Sequence, residues 1–171
     1  MNAKAKIGAT IVVVMAAIIL SCNRAADNKS ASKMSAEDNS IFPKGAKITN
    51  ANFTGTAYLQ PLIAADSLNP TAVGNVTFEP GARSKWHCHP AGQILLAIDG
   101  VGYYQEKGQP KRLLRKGDVV KCPPNVAHWH GASADTAFVQ VAITNNHKGV
   151  TVWMEAVTDE EYNGNKKETN F

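Results

Sequence analysis

From about residue 70 to residue 156 the chain alternates apolar and polar positions in short runs, each closed by glycine, proline or asparagine. A period of two places residues i and i+2 on one face of a strand, so these runs read as half-buried strands rather than helices. The pattern predicts strands over 73–78, 93–98, 102–107, 111–114, 118–122, 127–130, 138–144 and 150–156. Turns are expected at Glu79-Pro80-Gly81, Asp99-Gly100, Lys107-Gly108, Lys116-Gly117 and Pro123-Pro124-Asn125, where glycine or proline supplies the backbone angles of a reversal. Thr158-Asp159-Glu160-Glu161 has the spacing of a capping box, which predicts a short helix starting there. Many short strands at regular spacing define an all-β sandwich or barrel.

The N-terminal pattern is different. Lys4 and Lys6 precede an unbroken apolar run from Ile7 to Leu20, and Ile19-Leu20-Ser21-Cys22 resembles a lipobox. The run is short for a membrane span. It predicts a lipoprotein signal peptide over 1–21, lipid on Cys22, a flexible tether over 22–40 that is poor in large apolar residues, and one folded domain over 41–171. A lipid-anchored protein of the bacterial cell envelope is expected, with its domain in the periplasm or outside the cell and the lipid as its one membrane contact.

Charge alters the picture little. The precursor carries a formal +4, but removing Lys4 and Lys6 leaves 16 basic against 14 acidic side chains. Lys111-Arg112 and Arg115-Lys116 are the only dense basic spot, and they flank a predicted hairpin where charge discourages edge pairing. No nucleic-acid partner is expected.

The candidate chemistry lies in histidine spacing. Four of five histidines form two i, i+2 pairs, His87 with His89 and His128 with His130. On strands each pair shares a face, and two such pairs on facing strands can hold one transition-metal ion. Lys85 is expected on the face of His87 and His89, with Trp86 and Cys88 on the other. Trp86 and Trp129 then point away from the ligands, as core or dimer-interface aromatics.

The spacing Gly81, His87, His89, Gln93, Gly100 resembles the first motif of the cupin family, with Gln93 where glutamate is usual. Gly117, Pro123, Asn125 and His128 resemble the second, with Asn125 where glycine is usual. Phe53-Thr54-Gly55-Thr56, the segment from Val76 to Gly81, and Val157 to Tyr162 are similar to cupins associated with carboxymuconolactone decarboxylases. Some manganese-dependent hydroxynitrile lyases are similar to that subgroup. The resemblance implies a cupin jelly-roll barrel holding one divalent ion by His87, His89, Gln93 and His128, with manganese first and iron, nickel, cobalt or zinc as alternatives. It implies Val76, Gln140 and Thr144 as pocket lining and a homodimer. Gln93 is neutral, so the ion would keep its full charge and polarise an oxygen ligand strongly.

His130 is open to three roles: fifth ligand, partner of a ligand, or general acid and base. The relatives favour the last. They often carry a further histidine where this chain has Gln140, so a mechanism using two histidines does not transfer whole. Three function classes follow: a lyase, decarboxylase or isomerase acting on a small oxygenated organic molecule, a metal-dependent dioxygenase, or a non-catalytic binder of small ligands. Cys88 and Cys122 remain after lipidation of Cys22, in a compartment that permits a bridge between them.

Overall fold

The computed structural model describes residues 40–164, and the expected signal peptide, Cys22 and most of the expected tether lie outside them. The described chain is a continuous antiparallel sheet curled on itself, an all-β jelly-roll barrel with one short helix. One half of the barrel runs in the order β1 (Ala46–Lys47), β3 (Ala57–Ile63), β4 (Thr71–Phe78), β11 (Phe138–Asn145), β7 (Gln93–Glu106) and β9 (Val119–Cys122). The other runs from β2 (Phe53–Thr54) through β5 (Arg83–Ser84) and β10 (His128–Ala132) to the far end of β7 and β8 (Arg112–Arg115). Beside β10, β6 (His87–Cys88) pairs in turn with β12 (Val152–Trp153).

β7 corrects the sequence reading. The two strands expected over 93–98 and 102–107 are one strand of 14 residues, and Asp99-Gly100 bends it instead of reversing it. The register against β11 shifts by one residue there, between Val139–Asp99 and Gln140–Ala97. Such a bulge sharpens the local bend and lets a strand cross between sheets. Gly100 has φ 75, and a Cβ on it would lie 1.9 Å from the Ala137 carbonyl oxygen, so only glycine fits the bend. β3 was not expected at all. Its Pro61 argues against a strand, but β1 covers only Tyr58 and Leu59, so Pro61 falls where one side of β3 has no partner strand. The last strand is shorter than its expected span of 150–156.

Inside the barrel Phe78, Phe138, Leu95, Leu114 and Val120 form the main core. A second cluster lies behind β10, where Trp86, Trp129, Val157 and Tyr162 pack under the helix α1 (Asp159–Asn163). Trp129 is fully buried, so both tryptophans are core residues of one chain. Thr158 and Glu161 make the expected capping box. The helix is fastened to the barrel by buried Arg83, which donates to the Val157 carbonyl at 3.1 Å and to Asp159 Oδ1 at 2.6 Å. Its guanidinium also lies 4.5 Å from the centre of the Tyr162 ring. The C-terminal segment thereby backs the strands that carry the histidines. Among the described residues, no helix is long and apolar enough to cross a membrane.

Candidate metal centre

Each histidine pair is aimed by strand geometry. His87 on β6 and His128 on β10 are directly opposed, and their ring centroids lie 4.5 Å apart. His130 follows two residues along β10 on the same inner face, 5.2 Å from the His87 ring. The alternation does not extend back to Lys85. The β10 register shifts by one residue between Arg83–Gly131 and His87–His128, a bulge at Lys85–Trp86 that turns both Ser84 and His87 inward. Ser84 Oγ there accepts from the His130 backbone N–H at 3.2 Å. His89 continues beyond β6, with its ring 5.1 Å from His87 and 5.5 Å from His128.

Hydrogen bonds then fix which nitrogen faces inward. The Lys85 carbonyl accepts from His87 Nδ1 at 2.8 Å, and the Val126 carbonyl accepts from His128 Nδ1 at 2.9 Å. A carbonyl only accepts, so both rings carry their hydrogen on Nδ1 and keep a lone pair on Nε2. His89 Nδ1 is 3.1 Å from Thr151 Oγ1. Buried Nε2 atoms of His89, His128 and His130 have no hydrogen-bond partner among the described residues. Such atoms are expensive to leave alone in a protein interior. Ring nitrogens of His87, His128 and His130 lie within 4.8 Å of one another, close enough to share one ion.

Electrostatics keep the rings neutral. Burial, reinforced by neighbouring His128, pushes His87 down to about 3 and His89 down to about 4. Burial also lowers His128, and it holds His130 well below the ordinary histidine value, with His87, His128 and His89 adding to the shift. Neutral imidazole is the metal-binding form, so near neutral pH this donor set needs no proton release to accept a cation. The residues present fit a divalent transition metal.

Gln93 opens β7, and its side chain opposes the lowering of His89. Its amide donates to Thr144 Oγ1 at 2.9 Å, which leaves its oxygen available. Cys122 Sγ is 4.0 Å from that oxygen, and burial pushes the thiol up to about 12. Cys88 and Cys122 are both free and buried.

Val76 and Thr144 line an apolar recess of about 300 Å³ with Leu59, Pro61, Ile63 and Ala142. Gln140 is directly opposed to Val76 in the pairing of β11 with β4. Fully buried, it reaches His130 Nδ1 at 2.9 Å and selects the tautomer of that ring. With the amide NH₂ toward Nδ1, as here, the ring hydrogen sits on Nε2; turning the amide over moves it to Nδ1 and frees the Nε2 lone pair. Sequence reading missed Thr151 and Trp153 beside the centre. Trp153 is opposed to His87 by the pairing of β12 with β6, a placement with no local signal in the chain.

A closed jelly roll with two histidine pairs on its inner wall defines the chain as a metal-binding type of cupin. Residues 74–144 match the cupin domain model Cupin_2. The (R)-mandelonitrile lyase of Granulicella tundricola is 46% identical over 111 residues, 64% of this chain and 85% of that protein. The chain belongs to the cupin family. A cupin-like protein of Thermotoga maritima has a solved structure that is 48% identical, covers 71% of this chain and 93% of its own, and superposes with a TM-score of 0.69. At 18% identity and a TM-score of 0.55, a cupin 2 barrel protein of Rhodopseudomonas palustris repeats the fold alone, over 68% of this chain and 78% of its own.

Proposed function

We propose that this chain is a metal-dependent cupin enzyme of the lyase type, held at the bacterial cell envelope and acting on a small oxygenated organic molecule. The observation that carries the proposal is the convergence of neutral, buried histidine nitrogens with no partner inside the barrel. The proposed ligands are His87, His89, Gln93 and His128, with manganese as the first metal to test. A bound divalent cation supplies Lewis-acid polarisation of a substrate oxygen.

The chain's own residues supply orientation and proton transfer. Backbone carbonyls of Lys85 and Val126 hold two rings in the ligating tautomer. The apolar recess takes the carbon skeleton of the substrate. His130, packed edge-on against Phe78 at 5.7 Å, stands beside the proposed ligands His87 and His128. For bond cleavage beside a hydroxyl-bearing carbon, His130 Nε2 takes the hydroxyl proton as the carbonyl forms. The electrons of the breaking bond depart with the leaving group, which collects the proton from His130, so atoms and charge balance. In that role the Gln140 amide presents its oxygen to the Nδ1 hydrogen.

The relative named (R)-mandelonitrile lyase makes cyanohydrin cleavage the first reaction to test, with benzaldehyde release followed by absorbance. Activity should vanish on chelation and return with Mn²⁺. Natively purified protein without stoichiometric metal, and without uptake of any added divalent ion, would remove the basis of this function. Lipid attachment at Cys22 and pairing as a homodimer belong to the same proposal.

A further inference from the structure

The three tryptophans of this chain differ sharply in exposure. Trp86 and Trp129 are 2% and 0% exposed behind the barrel, whereas Trp153 is 38% exposed although it stands on the inner face. Its position follows from pairing: directly opposed residues of antiparallel strands share a face, and Trp153 is opposed to His87. Its indole lies 4.7 Å from the His87 ring at 34°, and Phe53 packs against its other neighbours at 5.7 Å from Trp153 and 6.0 Å from Phe78. On the other half of the barrel, inner-face residue Leu59, opposed to Val76, is also exposed, at 37%, and with Ile63 lines the apolar recess. Inner-face residues such as Phe78, Leu95 and Phe138 are closed off completely or almost so. The barrel thus carries an aliphatic recess on one half and an exposed aromatic side chain beside the histidines on the other.

The geometry points to Trp153 as a specificity-determining residue, an aromatic wall beside the histidine centre on which a flat aryl substituent of the bound ligand stacks. This rests on the metal reading above and adds the ligand class: an oxygen donor on a carbon attached to an aromatic ring. Stacked indole and aryl faces attract one another beyond simple burial, and a ligand whose oxygen is held at the histidines brings its ring within reach of a neighbouring wall. An indole already fixed against His87 loses little freedom when a ring covers it.

The test uses benzoate and acetate, which offer the same carboxylate with and without the ring. Their affinities are measured by calorimetry on wild type, Trp153→Phe and Trp153→Ala, each with and without Mn²⁺, with metal content and melting temperature taken on the same preparations. Wild type should prefer benzoate by about tenfold, the upper range of an aromatic pair. Trp153→Ala should narrow the preference to about twofold or less while Mn²⁺ content holds, and Trp153→Phe should keep most of it. Benzoate should also change the tryptophan fluorescence of wild type and leave that of Trp153→Phe unchanged, since the remaining indoles are buried elsewhere. A benzoate preference that survives in folded Trp153→Ala, or no preference in wild type, overturns the inference. Failure of the metal reading looks different: no variant takes up Mn²⁺, yet a preference that depends on Trp153 is still readable in the metal-free protein.

Discussion

His130 separates catalysis from metal retention. A proton-transferring group typically contributes 10²–10⁴-fold, so His130→Ala should keep its metal and lose turnover within about that range. If metal content falls together with the rate, His130 is a ligand; if a metal-replete variant turns over normally, it is a core residue. The ligands should behave otherwise. His89→Ala should lower Mn²⁺ content at least severalfold, while His147→Ala, in an exposed loop where its ring bonds Asn145, should not. Equal occupancy in the two variants would count against the site. The histidine pairs were legible because a period of two needs only neighbours in sequence. Gln140 was not, because its bond to His130 depends on how β10 and β11 meet in space. Trp153 was hidden for the same reason, and the bulge that separates Lys85 from His87 has no marker in the residues that form it.

At the level of elements, glycine positions that look alike in sequence differ in what surrounds them. Gly100 and Gly108 both have positive φ, but a Cβ on Gly108 meets nothing within 4 Å, while on Gly100 it collides with the Ala137 carbonyl. Gly108→Ala should cost about 1–2 kcal/mol, the ordinary penalty of that backbone region. Gly100→Ala adds a backbone clash and should cost clearly more, about 4 kcal/mol or above, or prevent folding. Equal melting temperatures for the two variants would show that β7 does not bend as described. The sequence marked both glycines as turns, since local composition reports the need for positive φ but not whether the chain reverses or continues. Strands with strong alternation, such as β4 and β11, were found nearly whole; two-residue strands exist only through their partners and have no pattern to read.

The whole molecule should become acid-sensitive when its metal is removed. His87 and His89 stay neutral in the folded state down to about 3 and about 4, from an ordinary value of 6.5. Below pH 6.5 the unfolded chain therefore binds protons that the folded chain refuses. Unfolding is favoured progressively as pH falls toward those lower values, and above 6.5 the effect disappears because both states are neutral. The melting temperature of the metal-free protein should drop between pH 7 and pH 4, and Mn²⁺ at pH 7 should raise it by binding only the folded form. A flat profile over that interval would contradict the burial of these rings. Cys22→Ala should abolish partitioning into membranes and leave the barrel's melting unchanged, as judged by fractionation and thermal melts.

β7 belongs to both halves of the barrel, bonded to β9 and β11 at one end and to β8 and β10 at the other. Neither half can open without releasing it. Backbone amide hydrogens of Leu95, Ala97 and Tyr104 should then exchange with deuterated water only when the entire barrel unfolds, whereas those of β1 and β12, each two residues long, should exchange far sooner through local fraying. The described barrel is thus one cooperative unit with a loose rim, and that rim carries Trp153.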